Sequence, residues 1–429
     1  MVRKNLSCRF CGAPLESTFA DLGVQPLCES YPSADQLNNM EPTYPLHVYF
    51  CKNCFLVQLE ESITPQEIYS KYAYFSSSSK GWLKHSENYA EMITNRLGLN
   101  ANSQIVEVAS NDGYLLQFFA QQNIPILGVE PASNVAQEAL KRGVPTLIKF
   151  FDRETAIDIV RQDKKADLLI ANNIVAQVPD IHGFIDGMKT LLKPSGIITL
   201  EFHYLKNLIE KNQFDTISHE RFSYFSFFVI ENLFSSHGLT IFDVEEIPTH
   251  GGSLRIYACH SENQHITKTN NPDEIRATEV ASGFTEIKKY LSFSEKVKGT
   301  KRNILDMLIK AKRSGKSVIG YGAHAEAHTL LNYCGIRTDF LDYLVDRNPN
   351  KQGKFQAGTH LPIFSSDKIQ ETKPDYLLIL PWSIKGEIMN QMSQIGNWGG
   401  RFIVPIPKLE VYNAKGKEIT SMVLKEEAV

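Results

Sequence analysis

The stretch Ile105-Val-Glu-Val-Ala-Ser-Asn-Asp-Gly-Tyr-Leu-Leu-Gln-Phe-Phe119, followed by Ile124-Pro-Ile-Leu-Gly-Val-Glu-Pro131, decides the fold. An apolar run of strand length meets a tight turn that opens an apolar helix, and a second apolar run stops on an acid. That is the start of a βαβ unit, and in a doubly wound sheet a ligand sits outside the carboxyl ends of the strands. An acid closing the second strand, here Glu130, can take both hydroxyls of a ribose. A dinucleotide phosphate calls for G-x-G-x-x-G, whereas this turn is Ala109-Ser-Asn-Asp-Gly113 and brings its own negative charge. An adenosine ligand with a cationic centre suits it better, and S-adenosylmethionine has both features. The candidate cofactor contacts are Glu107, Ala109, Asn111, Asp112 and Tyr114 around the turn, Glu130, Pro131 and Asn134 after the second strand, and the amides Asn172 and Asn173.

Outward from this stretch, the pattern predicts further strands at 168–171 and 197–201, the latter introduced by the turn Lys193-Pro-Ser-Gly196, and an antiparallel pair at 241–246 and 253–259. Residues 66–260 therefore read as one α/β domain. Residues 261–313 are polar and helical and read as a connector. A second α/β unit, 314–429, opens on Ser317-Val-Ile-Gly-Tyr-Gly-Ala323, a Gly-x-Gly turn between strand and helix that suits a nucleotide. The Glu/Lys-rich tail after Leu409 reads as solvated.

Residues 1–65 carry Cys8-x-x-Cys11 and Cys51-x-x-Cys54 with few helix signals. Two such pairs closing one loop match a four-cysteine zinc site; with all four ligands from protein the metal is structural. A module this small would be marginal without it. Between this module and the central domain, Glu67-Ile-Tyr-Ser-Lys-Tyr-Ala-Tyr-Phe-Ser-Ser-Ser-Ser79 reads either as a cap with core contacts or as a ligand gate. It leads into a helix with Trp82, Leu83, Tyr89, Met92 and Ile93 at helical spacing.

At 429 residues and 48.5 kDa, two or three domains are expected. The net charge of -3, with both signs interspersed, gives no nucleic-acid footprint. Neither a leader of signal-peptide length nor an apolar run of about 18 residues is present, so the reading is a cytoplasmic protein without membrane contact, monomer favoured.

Several motifs agree with one family: the cysteine pairs, the Glu107–Gly113 turn, Phe214-Asp-Thr-Ile, His219-Glu220, Ser223-Tyr-Phe-Ser226, Thr249-His-Gly-Gly-Ser-Leu-Arg255, Leu330-Leu-Asn-Tyr-Cys-Gly335 and Val345-Asp-Arg-Asn-Pro349. The chain resembles the sugar C-methyltransferases that act at C3 of nucleotide-linked 4-keto-deoxysugars. The resemblance implies a zinc-binding module, a central Rossmann-like S-adenosylmethionine domain and a C-terminal Rossmann-like domain holding the nucleotide, with the sugar nucleotide between the last two. In that family a base takes the proton alpha to the ketone, donors hold the enediolate, and the carbon attacks the sulfonium methyl. Candidate substrate contacts are then Ser78, Ser218, Tyr224, His250, Ser253, Arg255, Tyr321, Gly322, Ala323, His324, Asp346 and Arg347.

The chain departs from the family where deprotonation is expected. The usual Tyr-His-Glu-His is Ser218-His-Glu-Arg221, and arginine stays protonated. The family's Ser-Ser-Tyr-Ser is Ser76-Ser-Ser-Ser79, Gln177 replaces a histidine, and new histidines stand at 203, 324 and 328. Each new histidine alone reads as a tolerated, hydrogen-bonded residue. The coordinated loss and gain singles out His203, so His219, Glu220, Arg221 and His203 are the candidate catalytic residues. One reading keeps methyl transfer with a rearranged base; the other keeps both pockets but performs a non-methylating sugar modification, or only binds.

Overall fold

The computed structural model describes residues 6–69 and 75–419. Ser70 to Tyr74 of the aromatic cluster and the end of the Glu/Lys-rich tail, from Thr420 on, lie outside the described residues. The chain divides into two compact units: Met1–Glu16, Phe50–Leu205 and Glu220–Ile287 form the first, and Ser17–Tyr49, Lys206–His219 and Lys288–Val429 the second.

The first unit is built on a seven-stranded sheet. Its strands are β1 (Ile105–Val108), β2 (Ile126–Val129), β3 (Thr146–Leu147), β4 (Ala166–Ile170), β5 (Leu192–His203), β6 (Leu239–Ile247) and β7 (Ser253–His260), in the order β6-β7-β5-β4-β1-β2-β3. β1 to β5 run parallel, and β7 is antiparallel to both β5 and β6. All four residues of β1 are buried, as expected of a parallel strand covered on both faces. The order reverses at β1, flanked by β2 on one side and β4 on the other, which opens a crevice at the carboxyl ends. The expected turn Lys193–Gly196 is instead part of β5, absorbed by a register shift between Ala166 and Leu168 of β4. A local irregularity in the ladder lets Pro194 sit in the strand without a break.

The helix Lys80–Leu97 starts on the Ser79 cap, which accepts from Trp82 N, and ends at Gly98 with φ +63°. Ser86, Tyr89, Ala90 and Ile93 are its buried residues, one stripe at helical spacing.

The second unit carries a six-stranded sheet of β8 (Val318–Tyr321), β9 (Leu344–Val345), β10 (Ile363–Phe364), β11 (Tyr376–Ile379), β12 (Arg401–Val404) and β13 (Glu410–Asn413), in the order β10-β9-β8-β11-β12-β13. It is parallel except for β13, and its switch point lies between β8 and β11. Helices Asn271–Ala281, Ile287–Leu291 and Phe293–Arg313 occupy the stretch read as a connector. Residues from the N-terminal region also join this unit: Phe19 stacks on Phe293 with ring centroids 4.5 Å apart. No helix among the described residues is long and apolar enough to cross a membrane.

Candidate active site and zinc centre

The four cysteines converge. One sulfur from each of Cys8, Cys11, Cys51 and Cys54 lies within 4.8 Å of the others. The pairs Cys8–Cys54 and Cys11–Cys51 stand at 3.5 Å, close to the edge of a tetrahedron with metal–sulfur bonds of about 2.3 Å. Two of the sulfurs accept hydrogen bonds: Gln58 Nε2 donates to Cys8 Sγ at 3.1 Å and Asn53 N to Cys51 Sγ at 3.4 Å. The contact between Cys8 and Cys54 lowers the Cys8 thiol and raises that of Cys54, and burial raises Cys51, so without a cation at their centre the cluster favours negative charge on Cys8. The donor set fits zinc. The knuckle is fixed by residues between its first two cysteines, Arg9 donating to the carbonyls of Pro179 and Leu59, and Phe10 O accepting from His182 at 2.8 Å.

At the crevice, the turn after β1 is strained. Ala109 and Asn111 hold φ of +57° and +49°, at a cost of about 1–3 kcal/mol each, and Gly113 follows at +77°. The strained turn points Asn111 N at Glu130 Oε2, 3.0 Å away, and Ala132 N, just after β2, donates to Oε1 at 2.8 Å. Each carboxylate oxygen keeps a lone pair for a further donor. Burial pushes Glu130 up to about 7 and raises Glu107, fully buried beneath the cofactor turn, well above the carboxylate range. Asp112 is held by Ser77 Oγ and an ion pair to Arg142 at 3.2 Å, so part of the turn's charge is spent within the protein. Ser110 Oγ, Asp112 Oδ1 and Asn172 Oδ1 are buried with no hydrogen-bond partner among the described residues. Buried polar atoms in native proteins are almost always paired, so this group fits a polar ligand. Pro131 is half-buried, Asn134 is exposed, and Asn173 holds φ +58° with its N–H on Glu201 O.

Along the same edge, β5 ends at His203, opposite Ser253 at the start of β7. Arg221 Nη1 lies 3.4 Å from His203 Nδ1. His250, itself at φ +53°, places its ring 5.0 Å from that of His203 and 5.2 Å from that of Trp82. Ser253 Oγ donates to Thr249 O. Arg255 is engaged below the edge: it donates to buried Glu201 at 2.7 Å and to Glu245 at 2.8 Å. Burial works to raise Glu201, yet His85 and Arg255 hold its carboxyl below the usual range. Glu220 is half-buried, Tyr224 is buried in a short strand, and Ser78 is exposed with its Oγ on Phe75 O. Gln177 accepts from Tyr69 OH at 2.7 Å.

In the second unit, Ser218 and His219 are buried, and His219 Nε2 donates to Tyr44 O at 3.2 Å; burial lowers the imidazole. The Gly-x-Gly turn has Gly322 at φ +95°, where a Cβ would lie 2.8 Å from Pro381 Cδ. Asp346, closing β9, accepts from Ala323 N and Asn348 N, both at 2.8 Å, while Arg347 is exposed and turned to Glu387 and Gln391. His324 caps the helix Ala325–Cys334 and bonds Glu326 at 2.7 Å; its burial is outweighed by Glu326, so its pKa rises.

Asp215, within the Phe214-Asp-Thr-Ile motif, shows no chemistry in its local sequence. It is fully buried, pushed up to about 8 by burial, and accepts from Trp382 Nε1 at 2.7 Å. With Tyr321 OH and His324 Nε2, its Oδ1 is a buried polar atom without a partner among the described residues. His328 is a core residue, bonded to Pro26 O and Gln356 and pushed down to about 4 by burial.

A mixed sheet with a strained, acid-lined turn at its switch point and a four-thiolate centre define a zinc-bearing methyltransferase. Family models agree along the chain: a zinc binding domain over 8–69, a methyltransferase domain over 82–244, and a C-methyltransferase C-terminal domain over 248–407. The chain is 33% identical to the C-methyltransferase NovU of Streptomyces niveus over 97% of its own length and 99% of that protein. It belongs to this C-methyltransferase family. It is a methyltransferase whose cofactors are S-adenosylmethionine and structural zinc. Among solved structures, an S-adenosylmethionine-dependent methyltransferase from Anabaena variabilis matches at 14% identity and TM-score 0.35, covering 41% of this chain and 84% of that one. The magnesium protoporphyrin IX methyltransferase from Synechocystis matches at 12% and 0.32, covering 46% and 89%.

Proposed function

We propose that this protein, working in the cytoplasm, methylates carbon on a nucleotide-linked 4-keto-deoxysugar through an enediolate. One observation carries the reading: the Glu130, Asp112 and Asn172 positions and the Arg221–His203 pair follow one another along the carboxyl edge of one sheet. The first three would hold S-adenosylmethionine, and the fourth would face the substrate beside it.

Bound S-adenosylmethionine supplies an electrophilic methyl on a cationic sulfur. Glu130 takes the ribose hydroxyls, and Asn172 and Asp112 offer acceptors to its donor groups. Arginine can only donate, so His203 Nδ1 accepts from Arg221 and the proton of the neutral ring sits on Nε2. In that tautomer His203 is a donor, not the base. Glu220, the carboxylate next to Arg221, is then the group that removes the proton alpha to the ketone, while Arg221 and His203 Nε2 each offer a donor to one of the two enediolate oxygens. His219, buried and fixed on Tyr44 O, orients the Ser218–Arg221 segment. The Tyr321–His324 turn, with Asp215 and Asp346, is assigned to the nucleotide.

The test is incubation with methyl-labelled S-adenosylmethionine and a panel of nucleotide 4-keto-deoxysugars. Label on a sugar carbon, with one S-adenosylhomocysteine per methyl, is the expected result. Neither label nor thioether product with any member would overturn it.

A further inference from the structure

We infer that Trp82, flanked by Tyr114 and His250, is the wall against which the cofactor sulfonium rests, and that it distinguishes the methyl donor from its demethylated product. This rests on the reading of the carboxyl edge as the cofactor site. Four rings follow one another there: His203 to His250 at 5.0 Å, His250 to Trp82 at 5.2 Å, and Trp82 to Tyr114 at 6.2 Å between centroids. The path begins at the Arg221–His203 pair and ends on the residue after Gly113 of the cofactor turn. It therefore lines the edge between the turn after β1 and the Arg221–His203 pair.

Trp82 is fixed in place. Its backbone N–H is capped by Ser79, and its ring stacks on His85 at 4.9 Å and 21°, with His85 bonded to buried Glu201 at 3.3 Å. The residues just before this helix are pinned to the cofactor turn, Ser76 N on Asn111 Oδ1 at 2.9 Å and Ser77 on Asp112. The indole is half-buried and His250 is exposed, so the wall keeps an open side.

The donor differs from its product by one methyl and one positive charge. A cation near an indole face is attracted by the ring quadrupole, by about 0.5–2 kcal/mol depending on desolvation, and a neutral thioether is not. An aromatic wall at the sulfur thus favours the charged ligand and lets go of the product.

Calorimetry on the full-length, zinc-loaded protein tests this with S-adenosylmethionine and S-adenosylhomocysteine in parallel. Trp82→Leu is expected to weaken the sulfonium ligand by about tenfold, or about 1.4 kcal/mol, with the thioether within about twofold of wild type. Trp82→Phe should recover most of the difference, and His250→Leu should lose a smaller part of it. Should Trp82→Leu fail to fold, the affinity ratios of the other two variants decide. Equal weakening of both ligands, or a ratio unmoved by every substitution, overturns the wall while leaving the cofactor site standing. Wild-type protein that binds neither ligand overturns both.

Discussion

Arg221 Nη1 stands 3.4 Å from His203 Nδ1, and because a guanidinium only donates, that nitrogen is the acceptor of the pair. In the proposed mechanism, where arginine stands in place of a histidine base, the new histidine serves as a donor. Removing one preorganised oxyanion donor costs about 10²–10³ in kcat. We expect Arg221→Ala to lower kcat by about 10²-fold, with S-adenosylmethionine affinity unchanged in calorimetry. A loss shared equally by both would assign Arg221 to cofactor binding instead.

Glu220→Gln removes the proposed base while keeping the shape. Turnover should fall by about 10²–10⁴-fold, and exchange of the proton alpha to the ketone with deuterated water should stop. Continued exchange at the wild-type rate would move the base elsewhere.

Glu130 is raised to about 7 by burial, so it is mostly protonated at pH 6 and mostly ionised at pH 8. In the proposed site the ionised form is the one that accepts from both ribose hydroxyls. S-adenosylmethionine should bind about tenfold more tightly at pH 8 than at pH 6, and Glu130→Gln should flatten that slope. A slope that survives the substitution would place the titrating group elsewhere.

The cysteine cluster should hold one zinc whose loss unfolds its surroundings. Cys8→Ser is expected to release the metal and lower the melting temperature by roughly 10 °C. Unchanged melting in zinc-free protein would contradict a structural role.

His328 is buried neutral with its pKa lowered to about 4, so below the ordinary value near 6.5 the unfolded chain binds a proton that the folded one refuses. Stability should therefore be full above about pH 6.5 and fall as pH drops towards 4, losing about 2 kcal/mol by pH 5. Denaturant titrations of wild type and His328→Gln at pH 7 and 5 check this. The variant should start less stable and lose less between the two.

Much of the architecture was legible in the residues. Ile105–Val108 and Ile126–Val129 are short β-branched runs stopped by a turn and an acid, and the structure gives both the expected bounds. The Lys193–Gly196 segment was misread because Pro-Ser-Gly signals a turn locally, whereas pairing with β4 decided that it continues a strand. Asp215 looked like a motif position without chemistry; its burial and its bond to Trp382, 167 residues away in the chain, make it a raised acid.

Residue order alone determined the strand periodicity, the paired cysteine spacing and the acid that closes the second strand, because these depend on neighbours within a turn or a strand. Tertiary structure alone decided which groups are charged and which atoms are left to bind. Arg142 pairs with Asp112 from 30 residues away, Arg221 brings a guanidinium against His203, and Pro26 with Gln356 holds His328 in the core. Protonation and hydrogen-bond roles follow from burial and partners distant in the chain, and no local pattern of residues encodes either.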